Sequence, residues 1–131
     1  NKAGRLAQVT KTLAEAGINI RALSLADTSD FGILRLIVND TEKAINIMKE
    51  AGFTVGRTAV VAVEVDDKPG GLNNILEALS GQNVNVEYMY AFVQEGGGSA
   101  TMIFRFDRID QAIEVLKAKN IPIIPADRIN G

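Results

Sequence analysis

The strongest constraint on this chain is an internal repeat. Slid against itself by 66 positions, NKAGRLAQVTKTLAEAGINIRALSLA (1–26) lies on DKPGGLNNILEALSGQNVNVEYMYAF (67–92) without a gap. Lys2 falls on Lys68, Gly4 on Gly70, Leu6 on Leu72, Leu13 on Leu79 and Asn19 on Asn85. The offset then becomes 68, and EKAINIMKEAGFTV (42–55) lies on DQAIEVLKAKNIPI (110–123). Few positions are identical. What repeats is the apolar pattern and the placement of Gly and Asn. A period of about 65 residues means two copies of one supersecondary unit, with boundaries expected at 1–57 and 58–131.

The second copy shows the unit whole. AVVAVEVD (59–66) alternates and is Val-rich, which predicts a strand. Leu72, Ile75, Leu76 and Leu79 recur at three and four, the spacing of an amphipathic helix. VNVEYMYAFVQ (84–94) and ATMIFRF (100–106) read as two strands of a hairpin turned at GGGS (96–99). DQAIEVLKA (110–118) reads as a second helix, and IPIIP (121–125) as a short last strand. Its prolines suit an edge or an early stop. The order βαββαβ is the ferredoxin-like split βαβ, an α+β fold with a four-stranded antiparallel sheet and both helices on one face. The first strand is then central, between the third and fourth.

The first copy opens at NKAGRL, the counterpart of DKPGGL, and so lacks that first strand. Its remaining elements are expected as a helix at 4–16, strands at 18–27 and 31–39, a helix at 41–51 and a strand at 53–57. A central gap leaves backbone groups unpaired, so residues ahead of Asn1, or another segment, are expected to fill it. Only GRTA (56–59) joins the copies, which predicts units packed side by side.

Composition excludes several chemistries. The chain has no Cys and no His, which removes thiolate nucleophiles, disulfides, thiolate metal sites and the commonest general base. The net charge of −2 comes with no basic block, which argues against nucleic acid. No apolar run approaches transmembrane length. The expectation is a cytoplasmic protein with no metal, no cofactor and no membrane partner.

The loop ahead of each first helix carries Asn1 or Asp67, then Gly4 or Gly70 and Gly71. The helix start offers unpaired N–H groups and the positive end of the dipole, suited to a carboxylate. Asn1 and Asp67 offer oxygens for an ammonium group, and Asn19 and Asn85 open the next strand with both donors and acceptors. A zwitterionic amino acid needs both kinds of partner. The plainer reading stands beside this one: Gly is turn chemistry, Pro69 is a first-turn residue, Asp67 and Asn1 are caps, and the asparagines bond their own turns. Tyr88, Tyr90 and Phe92 alternate on one strand and, without a basic groove, read as core or interface rather than a base-stacking platform.

The pattern N-K-A-G-R-L, helix, G-I-N-I (17–20), repeated as D-K-P-G-G-L and N-V-N-V (83–86), resembles the ACT domain over essentially the whole chain, as two tandem units. ACT domains are small regulatory modules of amino-acid biosynthetic enzymes and of some stand-alone proteins. The resemblance implies an amino acid bound at the interface of paired units, between the Gly loop of one and the strand opening of the other. By motif position it implicates Asn1, Ala3, Gly4, Leu6 and Asn19, and Asp67, Pro69, Gly70, Leu72 and Asn85. Two departures stand out: Ala3 replaces the usual Pro, and Asp67 the commoner Asn.

The expected function is therefore an amino-acid-binding regulator or sensor. Its expected partners are the amino acid, a second copy in a homodimer, and an amino-acid biosynthetic enzyme or transporter. The main alternative is a protein-interaction module without a small ligand, in which the loop and Asn positions tolerate change. A small enzyme is disfavoured: no Ser or Lys sits in a nucleophile setting, and Asp66 and Asp67 are adjacent and point apart.

Overall fold

The computed structural model describes residues 2–27, 32–92 and 99–125. The chain divides into two units, one within Asn1–Arg57 and one within Thr58–Arg128. The first holds α1 (Lys2–Glu15), β1 (Ile20–Asp27), β2 (Gly32–Val38) and α2 (Thr41–Glu50). The second holds β3 (Val61–Asp66), α3 (Gly71–Leu79), β4 (Val86–Phe92), β5 (Ser99–Phe106), α4 (Ile109–Ala118) and β6 (Ile123–Ile124).

In the second unit the strands lie in the order β4-β5-β3-β6, all antiparallel. β3 is central as the βαββαβ order predicts. One edge pairs with β5, from Val61 opposite Phe104 to Asp66 opposite Ser99, and the other with β6, Ala62 opposite Ile124. Alternation sends Val61, Val63 and Val65 to the helix-covered face. There they join Phe104 and Phe106 of β5, Ile75 and Leu79 of α3, and Ala112 and Leu116 of α4 in one core. Each Val, Leu, Ile or Phe side chain among them contributes on the order of 1.5–3 kcal/mol. β6 is an edge strand of two residues, flanked by the prolines. Pro122 lacks an N–H but accepts one from Glu64 at 3.1 Å. The GGGS turn falls largely outside the described residues.

The first unit keeps the hairpin and both helices around Val9, Leu13, Ile18, Val38, Ala44 and Met48. Two expectations need correction. The strand expected at 53–57 does not form: among the described residues of this unit β1 and β2 pair with each other, and residues 53–57 have no strand partner. A strand is defined by its neighbour, and its propensity alone does not hold it. The helix expected from Gly4 begins at Lys2. Ala3 lets helical geometry run through a position where Pro69, in the other copy, precedes the helix.

The repeat persists at the level of backbone detail. Register shifts occur between Ile20 and Ala22 and between Val86 and Tyr88, 66 positions apart. Left-handed residues close the helices in matching places: Gly17 (φ 75°) and Asn83 (φ 60°), then Gly52 (φ 89°) and Asn120 (φ 57°). After three of these helices the chain caps itself with a six-residue return bond. Ile18 donates to the Leu13 carbonyl at 2.9 Å, and Phe53 to Met48 and Ile121 to Leu116 at 3.0 Å. Gly and Asn are the residues that tolerate this conformation, so the copies exchange them without moving the backbone. Asn120→Val is therefore expected to lower unfolding free energy by about 1–2 kcal/mol and Asn120→Gly to leave it nearly unchanged, measured by urea denaturation.

Candidate functional site

The DKPGGL turn is built by its own backbone. Lys68 N–H donates to the Asp66 carbonyl at 2.9 Å, and Gly71 N–H to the Lys68 carbonyl at 3.0 Å. Gly70 is the N-cap of α3 at φ 87°, a left-handed position that favours glycine. Gly71 is required for a different reason: a Cβ there would lie 2.1 Å from the Asp66 carbonyl oxygen. Its bareness serves the close return of the chain on itself. At Gly70, by contrast, a Cβ would meet nothing within 4 Å, so this side of the turn is open.

No side chain caps α3. Asp67 therefore does not act as the cap that the plainer reading allowed. Gly71 N–H is used within the turn and Asn74 N–H bonds the Gly70 carbonyl, so Leu72 and Asn73 carry the first-turn amides that the helix geometry leaves over. Asp67, Lys68, Pro69 and Gly70 are exposed, and Leu72 is half-buried on the core. Lys68 Nζ lies 3.6 Å from Asp66 Oδ2, both exposed, a pair of little energetic weight.

Asn85 sits in a three-bond clasp with Asp107. Its backbone N–H donates to Asp107 Oδ1 at 2.8 Å, its Nδ2 to Oδ2 at 3.0 Å, and Asp107 N–H returns to the Asn85 carbonyl at 3.1 Å. The clasp ties the opening of β4 to the end of β5. Because a carboxylate only accepts, it fixes which way the Asn85 amide points and leaves Oδ1 turned away as an acceptor. The Asn85 backbone N–H, then its side-chain amide, hold the Asp107 carboxyl below the ordinary carboxylate range. The first unit repeats the clasp in neutral form: Asn19 N–H donates to Asn39 Oδ1 at 3.0 Å and Asn39 N–H to the Asn19 carbonyl at 3.1 Å. Asn39 and Asp107 were not singled out from sequence. The signal was their match at offset 68, each one residue past the hairpin's second strand.

The implicated residues fall into two groups in each unit. The turn lies at the Asp66 end of β3, opposite Ser99, whereas Asn85 adjoins Val86, opposite Phe106. Ser99 and Phe106 are the ends of β5, about 23 Å apart at ~3.3 Å per residue. One unit therefore does not bring its Gly turn and its Asn together around one small ligand. In the first unit Ala3 and Gly4 are exposed on α1, and Leu6 is half-buried. Asn1 lies outside the described residues.

Leu6 also lines a cleft of about 600 Å³ between α1, β2 and residues 52–56. The Arg5 guanidinium stands 4.9 Å from the Phe53 ring centroid in its wall, a cation–π contact. Among the described residues no group of His, Cys, Asp or Glu is placed to hold a metal, and no helix is long and apolar enough to cross a membrane.

The profile of the ACT domain pair matches residues 1–130. The chain belongs to the ACT domain pair family. This tandem ACT protein is also similar to a solved structure, the crystal structure of protein BT0572 from Bacteroides thetaiotaomicron. The two are 41% identical over 99% of this chain and 89% of that one, with a TM-score of 0.92. Among curated proteins none matches. The ACT pair family is one of regulatory, small-molecule-binding modules and is generally non-catalytic.

Two outcomes follow from the site's geometry. Gly71→Ala is expected to destabilise the tandem ACT chain by roughly 2–3 kcal/mol, since backbone rather than a flexible side chain must yield. Gly70→Ala meets no such contact and bears only the left-handed penalty of about 1–2 kcal/mol. Thermal unfolding of the two variants ranks them. Asp107 has a lowered folded pKa, so its contribution is complete above the ordinary carboxylate value and lost as pH falls through the folded value. Asp107→Asn, the residue of the first unit, is expected to flatten the loss of stability below about pH 4. Urea midpoints of parent and variant across that range measure the difference.

Proposed function

We propose that this chain is a cytoplasmic sensor of a free amino acid, acting through a regulated enzyme or transporter of amino-acid metabolism. The carrying observation is the start of α3, uncapped by any side chain and open beside Gly70. Such a helix end favours an anion through its amides and its dipole. The ligand carboxylate is assigned to the Leu72 and Asn73 amides. Its ammonium is assigned to acceptors of the Asp67 and Asn85 kind, with the Asp107 clasp presenting Asn85 Oδ1.

The separation of turn and Asn within a unit supports a site completed by two units, the turn from one and the strand opening from another. Ligand bound there favours the associated state by its differential affinity, which is how a small molecule biases an assembly. A homodimer is part of the proposal. The plain form of Asn19 and Asn39, with Ala3 in place of Pro, makes the second unit's motif the stronger of the two.

The test is a dye-based thermal shift of the chain against each of the twenty amino acids. Ligand at about a hundred times its dissociation constant adds roughly 2.7 kcal/mol, a rise of several degrees. The expected result is a rise with one or a few amino acids that Asp67→Ala abolishes. No rise with any of them, for a cooperatively unfolding chain, supports the ligand-free interaction module instead.

A further inference from the structure

We propose that Gln111 is a positioning residue of the amino-acid site, fixing through the Gln82 carbonyl the segment that presents Asn85. The inference rests on the reading of Asn85 as a ligand acceptor, and it adds a residue that lies outside the repeated motif.

The repeat isolates the feature. α1 closes with a six-residue return bond directly ahead of Asn19, where Ile18 donates to the Leu13 carbonyl. α3 closes otherwise ahead of Asn85. Ser80 stands at φ −63° and ψ 133° and Gly81 at φ 76°, and Gln82 N–H donates to the Leu79 carbonyl at 3.2 Å. This is the form of a type II turn, with glycine at its left-handed position. Asn83 follows in the left-handed region at φ 60°. Beyond the turn, side chains of another element hold the segment. Gln111 Nε2 donates to the Gln82 carbonyl at 2.6 Å, and Asp107 accepts from the Asn85 backbone and side-chain amides at 2.8 and 3.0 Å. Between these points Val84 packs on the core. A carbonyl oxygen only accepts, so the Gln111 atom that faces it is the nitrogen.

Both holders come from the start of α4. Gln111 lies in its first turn, and Asp107 precedes the N-cap residue Arg108. No side chain caps α4, whereas Asp40 caps α2 in the first unit. At offset 68 Gln111 falls on Lys43, and at offset 66 Gln82 falls on Ala16. The first unit thus repeats the clasp through Asn39, while the glutamine belongs to the second unit, whose motif is the stronger. Gln111 is half-buried and Gln82 exposed, so a neutral bond between them adds little to global stability. Its consequence is local. A segment fixed before the amino acid arrives removes an ordering cost from binding.

The experiment uses the chain of 131 residues. The probe is an equimolar mixture of the twenty free amino acids, titrated while NMR follows the backbone and side-chain amide signals of Asn85. Gln111→Ala and Gln111→Glu remove the donor. Gln111→Lys keeps one and is the residue of the first unit. The parent signals are expected to shift saturably. The Ala and Glu variants are expected to need about three- to tenfold more mixture for half the shift, the scale of one hydrogen bond, and the Lys variant to stay within about twofold of the parent. A structural role alone moves the urea midpoints of the Ala and Glu variants and leaves the half-shift concentration of the folded chain unchanged. Equal half-shift concentrations in the parent and the Ala variant overturn the role of Gln111 and leave the sensor reading standing. Equal weakening in the Lys and Ala variants overturns it as well, because the donor is then not the cause. No response of the parent to the mixture overturns both readings, so the two failures are told apart.

Discussion

The pairing of β3 on both of its edges is the interaction on which the rest of the second unit depends. It joins the β4–β5 hairpin to β6, and through Val61, Val63 and Val65 it forms the floor on which α3 and α4 pack. On one edge β3 pairs with β5 from Val61 to Asp66, and on the other Ala62 and Val63 pair with β6. In the first unit the hairpin and the two helices pack around a core of their own, with Val9, Leu13, Ile18, Val38, Ala44 and Met48.

The candidate site depends on the same architecture. The DKPGGL turn follows the end of the central strand, and its shape is dictated by the approach of Gly71 to the Asp66 carbonyl. Asn85 is placed at the opposite end of the sheet by its clasp to Asp107. α3 carries the chain back along the strand it has just left, so that β4 starts from the other end of the sheet, parallel to β3. The two motif halves of one unit are thereby separated by about the length of β5, some 23 Å. One unit therefore does not offer both halves to a single small ligand.

Much of this was legible in the sequence because the information is periodic. The alternation in AVVAVEV marked β3, the Leu72–Ile75–Leu79 spacing marked α3, and the two prolines of IPIIP marked a short edge strand. The repeat itself placed the central strand of the second unit. The motif also singled out Asp67, Gly70 and Asn85, whose ligand roles belong to the proposal. Less legible were features set by contacts across distance. Phe53 and Val55 read as a strand, yet among the described residues no strand lies beside them to pair with. Gly71 read as room for a ligand, whereas its space is taken by the backbone oxygen of Asp66. Asp107, remote from Asn85 in sequence, was marked only by its match to Asn39 at offset 68, which does not name Asn85 as its partner.

The sequence by itself determined the repeated βαββαβ unit, its family and the apolar faces, because hydrophobic period and turn chemistry are local properties written residue by residue. Only the tertiary structure decided which strands exist, which glycine serves the backbone and how the asparagines are held. Those outcomes rest on hydrogen bonds and close contacts between segments far apart in the chain, and such contacts come into being only when the sheet assembles.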